Sequence, residues 1–146
     1  GVIRRAEKLR IPVEYLPASA FKEGKATEQL RKYEADFIVL AGFLLRIPND
    51  MLETYPNRSV NIHPSLLPKF GGKGMYGNRV HEAVLEAQEK ESGITIHYIN
   101  EHYDEGAIIL QAQCPVVEGD TTDTLANRVH QLEYEHYPKV IEQLLT

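Results

Sequence analysis

Residues 60–68 read Val-Asn-Ile-His-Pro-Ser-Leu-Leu-Pro, and no other stretch limits the folds open to this chain so strongly. Its first part has the character of a strand. Pro64 and Pro68 then forbid regular structure, because proline fixes its own φ, lacks an N–H and restricts the residue before it. Ser65, Leu66 and Leu67 are held between them. Asn61 and His63 are two apart, so in a strand they face the same side. A strand that ends rigidly while presenting an amide and an imidazole together has the form of a functional site.

The flanking patterns place that strand in a sheet. Residues 1–10 predict a helix with Val2, Ile3, Ala6 and Leu9 on its inner face, and residues 12–16 a short strand. Residues 22–33 have helical composition, with Ala26, Leu30 and Tyr33 on one side. Residues 36–42 are apolar almost throughout, as in a strand buried on both faces. Residues 48–55 predict a short helix started by Pro48, and residues 58–63 the strand already described. Residues 69–78 contain four glycines in ten positions, a mobile loop. A helix over 79–89 follows, then strands over 93–99 and 107–117, and a long helix to about Leu145 capped by Thr121 or Thr122. Helix and strand alternate early, and two neighbouring strands precede the last helix. The expected fold is therefore α/β: one Rossmann-like domain over residues 1–146, with a mostly parallel sheet and helices on both faces. In open α/β sheets ligands bind beyond the carboxyl ends of the strands, so the segments after Gly42, His63 and Ile99 should share one rim.

Composition removes several classes of function. The formal net charge of −5 and the lack of a basic stripe argue against nucleic acid as the main partner. No apolar run approaches the ~20 residues of a membrane span, and no signal peptide is visible. A cytoplasmic, soluble protein is expected. The single cysteine, Cys114, rules out an intramolecular disulfide and a multi-cysteine metal site; in its apolar surroundings it reads as a buried thiol.

Chemistry on the rim centres on His63. A histidine moves protons near neutral pH, and Asn61 beside it can donate to a developing oxyanion. Asp104 lies on a turn between two strands. If that turn falls beside His63, its carboxylate would favour the charged imidazole and fix its tautomer. His97, His102, Glu101 and Asp104 form a His-rich patch, but their spacing matches no common metal motif, and no metal is expected. Gly71-Gly72-Lys73-Gly74 lacks the spacing of a phosphate-binding loop, so a lid that excludes water is the better reading. Ser65, between prolines, does not sit in a nucleophile elbow. What remains is a site that positions two small substrates and handles one proton.

The run Asn61-Ile62-His63-Pro64-Ser65-Leu66-Leu67-Pro68 resembles the signature of the folate-dependent formyltransferases. Gly93-Ile94-Thr95-Ile96-His97-Tyr98, followed by Asp104-Glu105-Gly106 and Ile109-Leu110-Gln111, resembles their second motif, and the likeness runs over essentially the whole chain. It is strongest to the branch that formylates glycinamide ribonucleotide in purine biosynthesis. The resemblance implies formyl transfer from 10-formyltetrahydrofolate, used as co-substrate, to the primary amine of that ribonucleotide. It implies His63, Asn61 and Asp104 as catalytic residues. Leu44, Leu45, Arg46 and Ile47 would form one wall of the folate pocket. Asn100, Glu101, His102, Tyr103 and Asp104 would form the other, with Asn61 between. His130 and Glu133 match positions near the ribonucleotide, with Glu133 suited to ribose hydroxyls. Lys22 falls near a family position that binds an anionic ligand group. The partners implied are small molecules only, with no nucleic acid or membrane and no oligomeric state specified. The family begins with a strand and a Gly/Ser-rich phosphate-binding turn, and none precedes Gly1, so the chain is expected to start inside the domain with an exposed sheet edge. The alternatives are a formyltetrahydrofolate deformylase, with water as acceptor, and a folate-binding module without activity.

Overall fold

A computed structural model describes residues 1–146. The strand carrying Asn61 and His63, β2 (Ser59–His63), lies inside a four-stranded sheet. It is flanked by β1 (Ile38–Leu40) and β3 (Glu91–Tyr98), and β4 (Ile108–Pro115) pairs with the outer side of β3. β1 and β2 run parallel, whereas β2–β3 and β3–β4 are antiparallel. Parallel neighbours require a crossover, and the segment containing α4 (Asn49–Thr54) supplies it. Three short helices precede the sheet: α1 (Val2–Lys8), α2 (Ala18–Lys22) and α3 (Lys25–Lys32). α5 (Asn78–Glu86) lies between β2 and β3, and α6 (Thr122–Leu145) follows β4.

Strand alternation sorts the side chains onto two faces. The register aligns Leu40 with Asn61, Asn61 with His97, and His63 with Thr95, so these residues share one face. Val60, Ile62, Ile94 and Ile96 point the other way. There they form the larger core with Val84 of α5 and Leu125, Val129, Tyr137 and Val140 of α6. The first face carries a smaller core of Ala26, Ile38, Ile47, Met51 and Tyr55. Helices thus cover both faces. The Tyr137 hydroxyl donates to the Leu40 carbonyl at 2.6 Å, fastening α6 across the parallel pair, and burial pushes its phenol pKa upward.

The entry to α6 is fixed by reciprocal capping: Thr124 N–H donates to Thr121 Oγ1 at 3.2 Å, and Thr121 N–H to Thr124 Oγ1 at 2.9 Å. Just ahead, Asp120 accepts from both terminal nitrogens of Arg128, at 2.8 and 3.0 Å, and from the Val117 N–H at 2.8 Å. The Arg128 guanidinium holds the Asp120 carboxyl well below the usual carboxylate range.

The α/β class expected from the sequence holds, with a mixed sheet: within these residues only one of the three pairings is parallel. The other differences fall in the first 58 residues. Residues 12–16 form no strand, since none of the four strands pairs with them. The helix expected over 22–33 is divided, since Gly24 at φ +77° ends one short helix and caps the next. The inner face proposed for α1 is open: none of its residues is buried, and Leu9 just beyond it is 70% exposed. β1 is buried on one side only, with Val39 on the face of the larger core 41% exposed.

Candidate active site

β2 ends at His63, and the chain that follows is pinned from behind. Thr95, fully buried on β3, accepts from the Leu67 N–H at 3.0 Å and donates to the Ser65 carbonyl at 2.7 Å. Gln111 of β4 donates to the Leu67 carbonyl at 2.9 Å, and the Ser65 hydroxyl to the Lys69 carbonyl at 2.7 Å. Between its two prolines the segment therefore has side-chain tethers on β3 and on β4 beyond it. Ser65 is fully enclosed and already bonded, which removes it as a nucleophile.

The turn after β3 brings Asp104 to His63. Asp104 adopts φ +55°, and two residues on, Gly106 passes against the Tyr98 carbonyl so closely that any Cβ there would overlap it. The Asp-x-Gly spacing thus has a steric cause: one residue turns the chain, the other lets it return to the strand. Asp104 Oδ2 lies 3.6 Å from His63 Nδ1 and accepts from the Gly72 N–H at 2.9 Å. His63 Nε2 lies 2.8 Å from the Phe70 carbonyl, which can only accept, so this nitrogen carries a proton. His63 is 4% exposed, and both its ring nitrogens face acceptors. The 3.6 Å contact is an ion-pair distance rather than a hydrogen bond.

Asn61 has one side-chain hydrogen bond, from Nδ2 to His97 Nε2 across the β2–β3 register at 3.3 Å. His97 in turn places Nδ1 2.8 Å from the Tyr98 carbonyl and Nε2 3.8 Å from Asp104 Oδ1. Burial pushes the His97 pKa down, with the Tyr98 carbonyl and Asp104 opposing it and His63 adding to it.

Two clefts meet at these groups. The larger, of about 510 Å³, is lined by Asn61, His63 and Asp104, by the glycine loop from Gly72 to Asn78, and by His130 and Glu133 of α6. The smaller, of about 60 Å³, is lined by Leu45, Arg46 and Ile47 on one side and Asn100, His102, Tyr103 and Asp104 on the other. Phe43, Asn61, Tyr103 and Asp104 belong to both. Burial pushes the Glu133 carboxyl upward, against the influence of His130.

Most candidate residues therefore converge. Leu44 lines the larger cleft rather than the smaller. Glu101 lines neither; it is exposed and lies 3.6 Å from His102. Lys22 is exposed on α2, outside both clefts. The sequence reading did not single out His81, which lines the larger cleft at 2% exposure with Nδ1 unpartnered, nor the contact between His97 and Asn61. It also missed the backbone groups of Phe70 and Gly72. Strand alternation could have put His97 on the Asn61 face, but not opposite it. No group of three or more His, Cys, Asp or Glu side chains is arranged to hold a metal ion, and no helix is long and apolar enough to cross a membrane.

The chain is 46% identical over 125 residues to the phosphoribosylglycinamide formyltransferase, chloroplastic, of Arabidopsis thaliana, covering 86% of this chain and 43% of that one. It is 41% identical over 150 residues to the phosphoribosylglycinamide formyltransferase of Bacillus subtilis, covering 99% of this chain and 74% of the relative. The chain thus spans about two-fifths of the plant relatives and three-quarters of the bacterial one. The crystal structure of phosphoribosylglycinamide formyltransferase from Bacillus halodurans superposes with a TM-score of 0.89 at 36% identity, covering 99% of this chain and 75% of that one. A formyltetrahydrofolate deformylase from Pseudomonas syringae superposes with a TM-score of 0.79 at 26% identity, covering 90% and 44%. The sequence profile of the formyl transferase family matches residues 1–141, a span that takes in the proline-bounded strand end, the Asp104 turn and most of α6, and the chain belongs to that family.

Proposed function

We propose that the chain transfers a formyl group from 10-formyltetrahydrofolate to the primary amine of glycinamide ribonucleotide in purine biosynthesis, acting as one catalytic domain. One observation carries this reading. An amide donor, an imidazole and a carboxylate from β2 and a distant turn meet where two clefts join, and no serine, threonine or cysteine lines either cleft. That arrangement suits direct transfer between two bound molecules better than a covalent acyl-enzyme.

In this reading the pterin of the folate lies in the smaller cleft, between residues 44–47 and 100–104. The ribonucleotide lies in the larger, where Glu133 accepts from ribose hydroxyls beside His130. The amine attacks the formyl carbon, a C–N bond forms, and the carbonyl electron pair moves to oxygen. Asn61 Nδ2–H and the His63 imidazolium donate to that oxygen, His63 exchanging the Phe70 carbonyl for it. Asp104, 3.6 Å from Nδ1, orients the His63 ring toward that oxygen. When the intermediate collapses, the bond to the folate nitrogen breaks, and a proton passes from the new ammonium to that nitrogen through His63 or water. The smaller cleft, the His63–Asp104 contact and the family membership support this assignment. The cytoplasm is the proposed compartment, and tagged localisation in its host tests it against the plastid of the plant relative.

The test supplies 10-formyltetrahydrofolate with and without glycinamide ribonucleotide. Formylation that requires the amine supports the proposal. Formate release without it indicates the deformylase reaction, and folate binding without turnover indicates a binding module.

A further inference from the structure

The His97–Asn61 contact leads beyond the three catalytic groups. His97 is 2% exposed, and its Nδ1 faces the Tyr98 carbonyl. A carbonyl accepts and never donates, so Nδ1 carries the proton. In a neutral ring Nε2 then has only a lone pair, and the Asn61 Nδ2 at 3.3 Å must be the donor. The reverse orientation of the amide would set the Asn61 oxygen against that lone pair. The imidazole therefore decides which end of the amide faces it, and one Asn61 N–H stays uncommitted at the junction of the clefts.

We propose that His97 is a positioning residue for Asn61: as a neutral imidazole it fixes the amide as a donor, and when it gains a proton it lets go of Asn61 and turns to Asp104. This rests on the reading of Asn61 as the oxyanion donor. A proton on Nε2 would face the amide's own N–H groups on one side and Asp104 Oδ1, 3.8 Å away, on the other. The charged ring would then compete with His63 for the same carboxylate. One protonation disarms both Asn61 and the His63–Asp104 pair. The groups that bear on this proton are Asp104 on the turn after β3, which attracts it, and His63 on β2, which repels it when charged. Arg46, His102 and Tyr103 are the other ionisable side chains lining the smaller cleft with His97. Burial dominates and keeps the ring neutral to lower pH than an ordinary histidine.

The closing experiment follows the Asn61 side-chain NH2 resonances by ¹H–¹⁵N NMR against pH, in wild type, His97→Gln and His97→Leu, without substrates. In wild type these resonances move through a one-proton step below the ordinary histidine value of 6.5; in His97→Gln, whose side-chain oxygen still accepts but does not titrate, the step is gone. In turnover, His97→Gln keeps kcat within about threefold and its acid limb moves to lower pH, while His97→Leu loses about tenfold in kcat with little change in KM, less than the ~10²–10³ cost of losing the donor itself. Flat Asn61 resonances in wild type overturn the proposal. So does an acid limb shared unchanged by wild type and His97→Gln. The NMR step needs no catalysis, so it stands or falls separately from formyl transfer.

Discussion

The molecule divides at Ser59 into two differently built halves. From β2 onward, Val60, Ile94, Ile96, Leu125 and Val129 are completely buried, and α6 spans the sheet as a single packed helix. Before β2 the core is smaller, and large apolar side chains such as Val2 and Tyr15 are left in solvent, at 77% and 86% exposure. The candidate catalytic groups all come from the packed half. Only the wall from Leu40 to Ile47 comes from the open one. The candidate catalytic groups therefore stand on the half whose apolar side chains are enclosed, which fixes their positions by packing.

The sharpest break of this contrast is Leu125→Ala. Leu125 is fully buried between α6 and the sheet, so its truncation should cost about 2–5 kcal/mol, read as a lowered urea midpoint. A loss below ~1 kcal/mol would mean that the second half is less consolidated than its burial indicates. Next in size is His63→Ala. Turnover should fall by ~10²–10³ while the circular dichroism spectrum is retained, because the segment is held by Thr95 and Gln111 rather than by the imidazole. Unchanged turnover would remove the mechanism proposed above, and Asp104→Ala is its companion test.

Asp120 gives a smaller effect with a definite sign. Its carboxyl is held low in the folded protein, so between the ordinary value of 3.8 and that lowered value the unfolded chain binds more protons than the folded one. Stability from the Asp120–Arg128 pair is therefore full above about pH 5 and is lost as pH falls through the folded pKa. Asp120→Asn should cost on the order of 1 kcal/mol at neutral pH and flatten the decline between pH 4 and pH 2, because the Asp120 side chain is covered while that of Arg128 keeps 30% of its surface in solvent. Melting temperatures across that pH range check both parts, and parallel curves for variant and wild type would contradict them.

Much of the packed half was legible because its signals are local. Apolar alternation along β3, the threonine cap of α6 and the proline-bounded end of β2 each depend on neighbours in sequence. The open half was read less well because burial there depends on what lies alongside. Residues 12–16 have strand composition and no partner, and Val39 has strand character and an open face. At the site, side-chain identities pointed to Asn61, His63 and Asp104, and to the convergence of most of their neighbours. The Phe70 carbonyl and Gly72 N–H are backbone groups whose positions no residue type announces. The pairing of Asn61 with His97 depends on antiparallel register over 36 positions, which alternation leaves undetermined.

The smallest expected effect tests the open half directly. Leu9 follows α1 and is 70% exposed, with no packed core behind it. Leu9→Ser removes almost no buried apolar area and should change stability by less than about 0.5 kcal/mol. The physical contrast with Leu125 is then between the same side chain inside a core and outside one. A loss above ~1 kcal/mol for Leu9→Ser would show that α1 is covered in solution, by another copy or by other parts of the protein. Repeating the melt over a hundredfold range of protein concentration separates those two, since only cover by a second copy makes the midpoint rise with concentration.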